Sequence, residues 1–428
     1  MAKSDSGGSL KKVPLKDLSV GMYVHDVGRG WFEHPWAKKS RLITSKQEIE
    51  QLREYGIDEV IVDEARGVKA RDLAPSAPAT VRRPPTLDER RPTTPPPPSP
   101  GPSAERLPRP LEVQAPLEEE LPRAHKTYIA ALETAKEFMT DFRAGRQINV
   151  PKVQDTIEDM IDSTFRNLDA TLTLTKLKTY DDYTFTHCLN VTALAVSFGC
   201  HLHLSRDNLR LLGLGAMLHD AGKTGVPLEI LNKPARLTEE EFEVMKTHPA
   251  LGARLLEKTQ KVPAPAIDIA LHHHERLDGN GYPDGLKGPQ VHTFLTIVGL
   301  VDVYDALSSE RIYHRAVPPH EALKVLFTLR NTHFESIWVE RFIQCLGIYP
   351  AGTLVRLSTG EIGLVVDVNR SSMLRPILRI VINQQGFTLA KTRIMDLGEA
   401  QHAERKITEV MSPRKLSLDV SHFFLPDE

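Results

Sequence analysis

The chain has 428 residues, of which 40% are apolar and 26% charged, so a sizeable core can be buried. Its 54 basic and 56 acidic residues leave a net charge of −2, which excludes a protein that holds a nucleic-acid polymer by bulk positive charge. No stretch approaches the roughly 20 apolar residues of a membrane span, and the polar start MAKSDSGGSLKK lacks an apolar signal-peptide core, so a cytoplasmic protein is expected.

At about 100–200 residues per domain, the length predicts several units. Residues 10–65 read as a small α+β accessory domain. VPLKDLSVGMYVHDV alternates with period two around Gly21, as a strand and turn do. Ser45 followed by Glu48 forms a capping box for a helix that Gly56 would end, and IDEVIVD follows as a strand. A unit this short suits packing, dimerisation or adaptor work better than catalysis. Trp31 and Trp36 fit either a partner surface or a small core.

Residues 66–118 read as a linker, with 15 of the chain's 31 prolines between 75 and 122. Proline fixes φ and lacks the amide donor, so a polyproline-like or disordered spacer is expected. Residues 119–347 read as a helical domain. Helices are predicted over 123–144, 151–178, 184–202, 206–221, 238–258, 263–275, 291–309, 319–329 and 335–345. The recurrence of Ile157, Met160, Ile161 and Phe165 marks one buried face. Residues 350–400 switch to strand periodicity as a β-rich appendix, and 401–428 form a tail. The fold class is therefore mainly α: an all-α bundle core with a small N-terminal α+β domain and a small β-rich C-terminal appendix.

Cys188, Cys200 and Cys345 are too few and scattered for a disulfide framework, which fits a reducing compartment. Histidine is a stronger signal. His187, His219, His248 and the run His272–His274 fall on separate predicted helices or helix ends, with Asp220 beside His219 and with Asp302 and Asp305 on a further helix. A lone histidine on an apolar helix face is usually a satisfied core residue. Independent core histidines would have no reason to fall in LHD, THP and HHHE contexts on successive helices. Ligands supplied one or two per helix are how bundles build metal sites. Imidazole with a few carboxylates suits iron, manganese, zinc or nickel. A carboxylate such as Asp220 can bridge two ions, and two ions about 3.5–4 Å apart can clamp both oxygens of a phosphoester displacement.

HDAGK, followed by HHHERLDGNGYPDGLKG and VDVYDALSSERIYHR, resembles the HD-GYP family, bacterial metal-dependent phosphodiesterases of cyclic di-GMP within the HD phosphohydrolases. The resemblance runs from Thr184 to Gly347, and residues 10–65 resemble the small domain of unknown function that often precedes HD-GYP. It implies an HD-type bundle with His187, His219, Asp220, His248, His273, His274 and Asp302 as metal ligands, and a structural role for His272. Lys223 matches a lysine near the scissile phosphate, so Asp220 and Lys223 are the implied catalytic pair. Tyr282 and Pro283 belong to a turn bordering the substrate, with Tyr282 touching it, while Asp305 and Arg311 match guanine contacts. Tyr183 stands where some members add a carboxylate for a third metal, so two metals are expected, iron or manganese. Ile312, Tyr313 and His314 depart from the family's Pro-Tyr-Arg or Pro-Tyr-Lys, which weakens or moves one basic guanine contact.

The implied reaction is hydrolysis of cyclic di-GMP to pGpG, GMP or both, with consequences for biofilm and motility. Implied partners are cyclic di-GMP, signalling proteins at the N-terminal domain and a second copy in a homodimer. Three alternatives compete: a non-hydrolytic cyclic-dinucleotide sensor or adaptor, a phosphodiesterase of another cyclic dinucleotide, and a mononucleotide HD nucleotidase. Retention of the whole ligand set disfavours the sensor, and the GYP flanks disfavour the nucleotidase.

Overall fold

A computed structural model describes residues 10–27, 41–54, 57–63, 66, 113–176, 183–309, 316–411 and 423. Gly56, Trp31, Trp36, Arg311–His314 and nearly all of the predicted linker lie outside these residues. The chain divides into two units, Met1–Pro96 and Pro97–Glu428.

The first unit contains β1 (Leu10–Pro14), β2 (Tyr23–Asp26), β3 (Arg41–Leu42), α1 (Lys46–Glu54) and β4 (Glu59–Asp63). Its strands form an antiparallel sheet in the order β1-β4-β2-β3. Alternation along the strands buries Val13, Val24, Val60 and Val62 against Leu52 of α1. The capping box is present: the Glu48 amide donates to Ser45 Oγ (3.4 Å) and the Ser45 amide to Glu48 Oε2 (3.2 Å).

The second unit opens with α2 (Leu117–Arg143), α3 (Val150–Arg166) and α4 (Leu168–Leu174). Then come α5 (Tyr183–His201), α6 (Arg206–Leu218), a 3-10 turn at Ala221–Gly225, α7 (Leu228–Leu231) and α8 (Glu239–Met245). The helical part ends with α9 (His248–Glu257), α10 (Ala264–His272), α11 (Thr293–Ser308), α12 (Pro319–Thr328) and α13 (Ser336–Leu346). The apolar helices α5 and α11 lie at its centre, and every residue of α11 from Phe294 to Leu307 is buried.

Several predicted boundaries move, each for a local reason. Helix α2 starts at Leu117 rather than 123, with Pro122 inside it, because buried Glu120 accepts from Arg166 Nε (2.7 Å) and Nη2 (2.9 Å) and from Ser163 Oγ (2.8 Å). The linker likewise ends before 118, since the Gln114 and Ala115 amides donate to the Arg166 carbonyl at 3.0 and 3.1 Å. The predicted 151–178 helix breaks at Asn167, whose Oδ1 caps α4 by accepting from Asp169 and Ala170 amides, both at 3.0 Å. The predicted 238–258 helix breaks before His248-Pro249, where proline suits a first turn and not a helix interior.

The C-terminal sheet comprises β5 (Leu354–Leu357), β6 (Ile362–Asp367), β7 (Ile377–Ile382), β8 (Thr388–Asp396) and β9 (Ile407–Met411), all antiparallel in the order β8-β7-β6-β5-β9. Strand β9 lies in the segment read as a tail, so the sheet extends past residue 400. The sheet is pinned to the helices by Arg370, whose Nη1 and Nη2 donate to Asp169 Oδ2 (2.6 Å) and Oδ1 (2.8 Å), with Nη2 also reaching the Cys345 carbonyl (3.0 Å). Asp367 faces the same carboxylate, and burial together with Asp169 pushes its carboxyl up to about 8.

Candidate metal centre

Helix ends aim most of the candidate ligands. His187 projects from the first turns of α5 and Asp302 from the middle of α11. His219 and Asp220 follow the end of α6, where the helix gives way to the 3-10 turn. His248 opens α9, while His273 and His274 follow α10. Gly222 makes the approach of the 3-10 turn to α9 feasible: a Cβ there would lie 1.9 Å from the His248 carbonyl oxygen.

All seven side chains are buried and converge on one volume. Asp220 sits at its centre. Its Oδ2 lies 3.3 Å from His219 Nε2 and 3.7 Å from His187 Nε2, and its Oδ1 lies 3.4 Å from His248 Nε2 and 4.0 Å from His273 Nε2. Asp302 Oδ1 is 3.1 Å from His187 Nε2, and Asp302 Oδ2 is 3.9 Å from His274 Nδ1. Three overlapping sets bring ligand atoms within 4.8 Å of one another: His248, His273 and His274; His187, His219 and Asp302; and His219, Asp220 and His273.

Hydrogen bonding orients the rings. His219 Nδ1 donates to the Ala216 carbonyl (2.6 Å), His248 Nδ1 to Met245 (2.7 Å) and His273 Nδ1 to Ala270 (3.0 Å). Each bond uses one nitrogen on a carbonyl three residues back and leaves the lone pair of Nε2 facing Asp220. Burial pushes His248 down to about 4 and holds His273 and His274 well below the usual histidine range, so these rings are neutral at pH 7. Burial opposes ionisation of Asp220 and Asp302, but Lys223 beside Asp220, and His187 beside Asp302, hold both well below the usual carboxylate range.

The neutral rings of His248 and His273 therefore turn lone pairs toward Asp220, an arrangement that a cation relieves; His187 differs, since burial opposes its protonation but Asp302 and Asp305 raise it to about 9. His219 Nε2, Asp220 Oδ1, His274 Nδ1 and Asp302 Oδ2 are buried without a hydrogen-bond partner. Buried polar atoms are otherwise almost always satisfied. Four such atoms in one cradle, all of them nitrogen or oxygen donors, fit divalent transition metals.

The remaining predicted residues behave differently. Lys223 Nζ contacts Asp220 Oδ2 at 2.5 Å and is partly exposed at the edge of the cradle. The Tyr282 ring stacks on His274 with centroids 4.6 Å apart and planes at 29°, and Pro283 follows through a cis peptide. His272, read as structural, stays outside the cradle. Asp305, read as a guanine contact, instead lies fully buried behind His187. Its Oδ2 is 2.7 Å from His187 Nδ1, while its Oδ1 accepts from Asn190 Nδ2 and Ser309 Oγ, both at 3.0 Å. Tyr128 Oη completes the chain by donating to Asn190 Oδ1 (2.7 Å). A carboxylate behind a ligating histidine fixes its ring and tautomer.

Sequence reasoning missed Tyr128 and Asn190, for which no local signal exists, because the partners lie on α2, α5 and α11. It also missed Glu275, which its place in HHHE could have signalled. That carboxylate accepts from the Asp284 (2.7 Å), Gly285 (3.0 Å) and Leu286 (2.9 Å) amides and organises the Tyr282 loop.

Comparison with known proteins agrees with this geometry. A model of the HD domain matches residues 155–336, which include all seven cradle residues. A domain of unknown function (DUF3391) matches residues 10–153, beyond the boundary read at 65, and a KOW domain associated with the HD domain matches 354–418. A cyclic di-GMP phosphodiesterase of Pseudomonas aeruginosa is 34% identical over 397 residues, covering 92% of this chain and 91% of its own. The cyclic di-GMP phosphodiesterase response regulator RpfG of Xanthomonas campestris is 42% identical over 33% of this chain and 38% of its own. The 3'3'-cGAMP-specific phosphodiesterase 3 of Vibrio cholerae is 36% identical over 34% of this chain and 31% of its own. Among the described residues no helix is long and apolar enough to cross a membrane. Likeness to a phosphodiesterase along nearly the whole length, joined to an HD-domain match over the cradle, shows that this chain belongs to the HD-GYP family of metal-dependent phosphodiesterases.

Proposed function

We propose that this chain hydrolyses cyclic di-GMP to linear pGpG, with GMP as a further product, at a centre of two divalent ions, iron or manganese. The observation that carries the reading is the position of Asp220 between two groups of buried donors, with its own Oδ1 and three of the surrounding polar atoms left without hydrogen bonds. His187, His219 and Asp302 would hold one ion and His248, His273 and His274 the other, with one Asp220 oxygen toward each. Ions bound there would acidify a water and draw charge from the phosphate.

The chain's own residues supply the rest. Asp305 keeps the His187 ring aimed, and the three carbonyl-bonded histidines keep theirs. Lys223 brings a cation to the rim, where charge grows on the non-bridging phosphate oxygens as the ribose 3′-oxygen leaves. Tyr282, held flat on His274, offers its other face to a base. Arg311 remains a proposed guanine contact.

The relatives from Pseudomonas and Xanthomonas, both named cyclic di-GMP phosphodiesterases, support cyclic di-GMP as the substrate. The Vibrio relative named for 3'3'-cGAMP favours one second reading, hydrolysis of the mixed guanine-adenine dinucleotide. In this proposal the enzyme works in the cytoplasm as a homodimer, with catalysis in 119–347. The 10–65 domain receives signalling partners, and the proline-rich stretch serves as its spacer.

Anaerobic purification, metal analysis and a chromatographic assay with cyclic di-GMP test the proposal. About two iron or manganese ions per chain, with pGpG or GMP appearing, is the expected result. Metal present with the dinucleotide bound but uncut would replace it with the sensor reading. Cleavage of the mixed dinucleotide alone would move the substrate.

A further inference from the structure

A second set of histidines and aspartates lies beside the cradle and takes no part in it. His272 Nδ1 is 2.8 Å from Asp268 Oδ1, one helical turn earlier on α10. His272 Nε2 is 3.1 Å from Asp284 Oδ2, on the loop that carries Tyr282. The other oxygen of Asp268, Oδ2, is 2.7 Å from Nε2 of His292, the residue that caps α11. The four side chains form a line, Asp284–His272–Asp268–His292. The two nitrogens of His272 point to different carboxylates, so the set does not converge on a point as an ion site must.

The line joins three pieces of chain. Helix α10 leads directly into His273 and His274, the loop between Glu275 and His292 carries Tyr282, and α11 carries Asp302 and Asp305. Asp268 thus ties the middle of the loop, through His272, and its far end, through His292, to the same helix. Between these ties Glu275 gathers the three amides of Asp284, Gly285 and Leu286. The loop is pressed close: a Cβ on Gly281 would lie 2.4 Å from Glu275 Cα. Asp268 and Asp284 side chains are 39% and 60% exposed and hold the buried His272 between them, so the line ties surface carboxylates of helix and loop through one buried ring. Their effect is to restrict a surface loop.

We propose that Asp268, His272 and His292 are positioning residues that hold the Tyr282 loop against the metal centre and so set how tightly the dinucleotide is retained. The inference rests on the reading that Tyr282 borders the substrate. Hydrogen bonds between imidazole and carboxylate are the strong kind, and losing one that orders a loop raises KM where the chemistry beneath is untouched.

The test uses the full-length holoenzyme with Asp268→Ala and, as the milder change, His292→Ala. Hydrogen exchange in the peptide spanning 277–291 is measured with metal content, with kcat and KM for cyclic di-GMP, and with turnover of bis(4-nitrophenyl) phosphate, a small ester with no base to stack. For Asp268→Ala, loop exchange and KM are both expected to rise about tenfold, with kcat within about threefold, and with metal content and small-ester turnover unchanged. His292→Ala should move the same quantities less, and it decides the matter if Asp268→Ala does not fold. Unchanged loop exchange overturns the proposal, and so does faster exchange with unchanged KM. Equal losses on both substrates, or loss of metal, overturn it in favour of a role in folding. Wild-type enzyme that leaves cyclic di-GMP uncut defeats the substrate reading instead, and loop exchange still reports on the restraint.

Discussion

Two buried polar clusters in the second unit use the same residue chemistry to opposite ends. At the junction of sheet and helices, Arg370 closes a two-pronged pair with Asp169 and a further bond to the Cys345 carbonyl, so both carboxylate oxygens of Asp169 are satisfied. In the cradle, Asp220 and Asp302 each keep one buried oxygen without a hydrogen bond, and His248 and His273 turn lone pairs inward. The first cluster pairs its charges within the chain and leaves only Arg370 Nε without a hydrogen bond. The second is complete only when something positive enters it. Buried polar groups that are paired hold a fold together, and buried polar groups that share an unmet need mark a site.

The sharpest break in this comparison is Asp220→Ala. Removing the shared carboxylate should lower turnover by more than about 10³-fold and deplete the metal. Full activity with unchanged metal content would sink the two-ion assignment. Next in size is Arg370→Ala, which strands Asp169 without its partner. It should cost about 3 kcal/mol in urea unfolding and leave metal content per folded chain unchanged. A stability unchanged by that substitution would mean the junction does not hold the sheet to the helices. The smallest effect belongs to Asp305→Asn, which keeps the shape and weakens the bond behind His187. A loss of about 10–100-fold in metal affinity or activity is expected, read by titrating metal into the apoprotein. A change in dinucleotide KM alone would return Asp305 to the guanine-contact reading.

The types of the candidate ligands and their order along the chain were legible in the sequence. LHD, THP and HHHE are local patterns, and metal chemistry demands particular donor types wherever they sit. The fold class was legible for a similar reason, since helical and strand periodicities are local. Helix boundaries were less so. Helix α2 passes through Pro122 because Arg166 and Ser163, more than forty residues away, satisfy Glu120. Strand β9 was read as tail because its pairing partner, β5, lies some fifty residues earlier.

The fate of neighbouring residues of one type shows most clearly where sequence stops. His272 and His273 are adjacent, yet one has both nitrogens on carboxylates and the other turns a lone pair toward Asp220. Asp302 and Asp305 lie one helical turn apart, yet one faces the cradle and the other stands behind His187. By itself the sequence determined which donors exist, the family they belong to and the helices that carry them, because these follow from residue type and local pattern. Only the tertiary structure decided which nitrogen of each ring is already taken and which oxygen remains open. A hydrogen-bond partner from another helix is a matter of distance and angle in space, and spacing along the chain does not encode it.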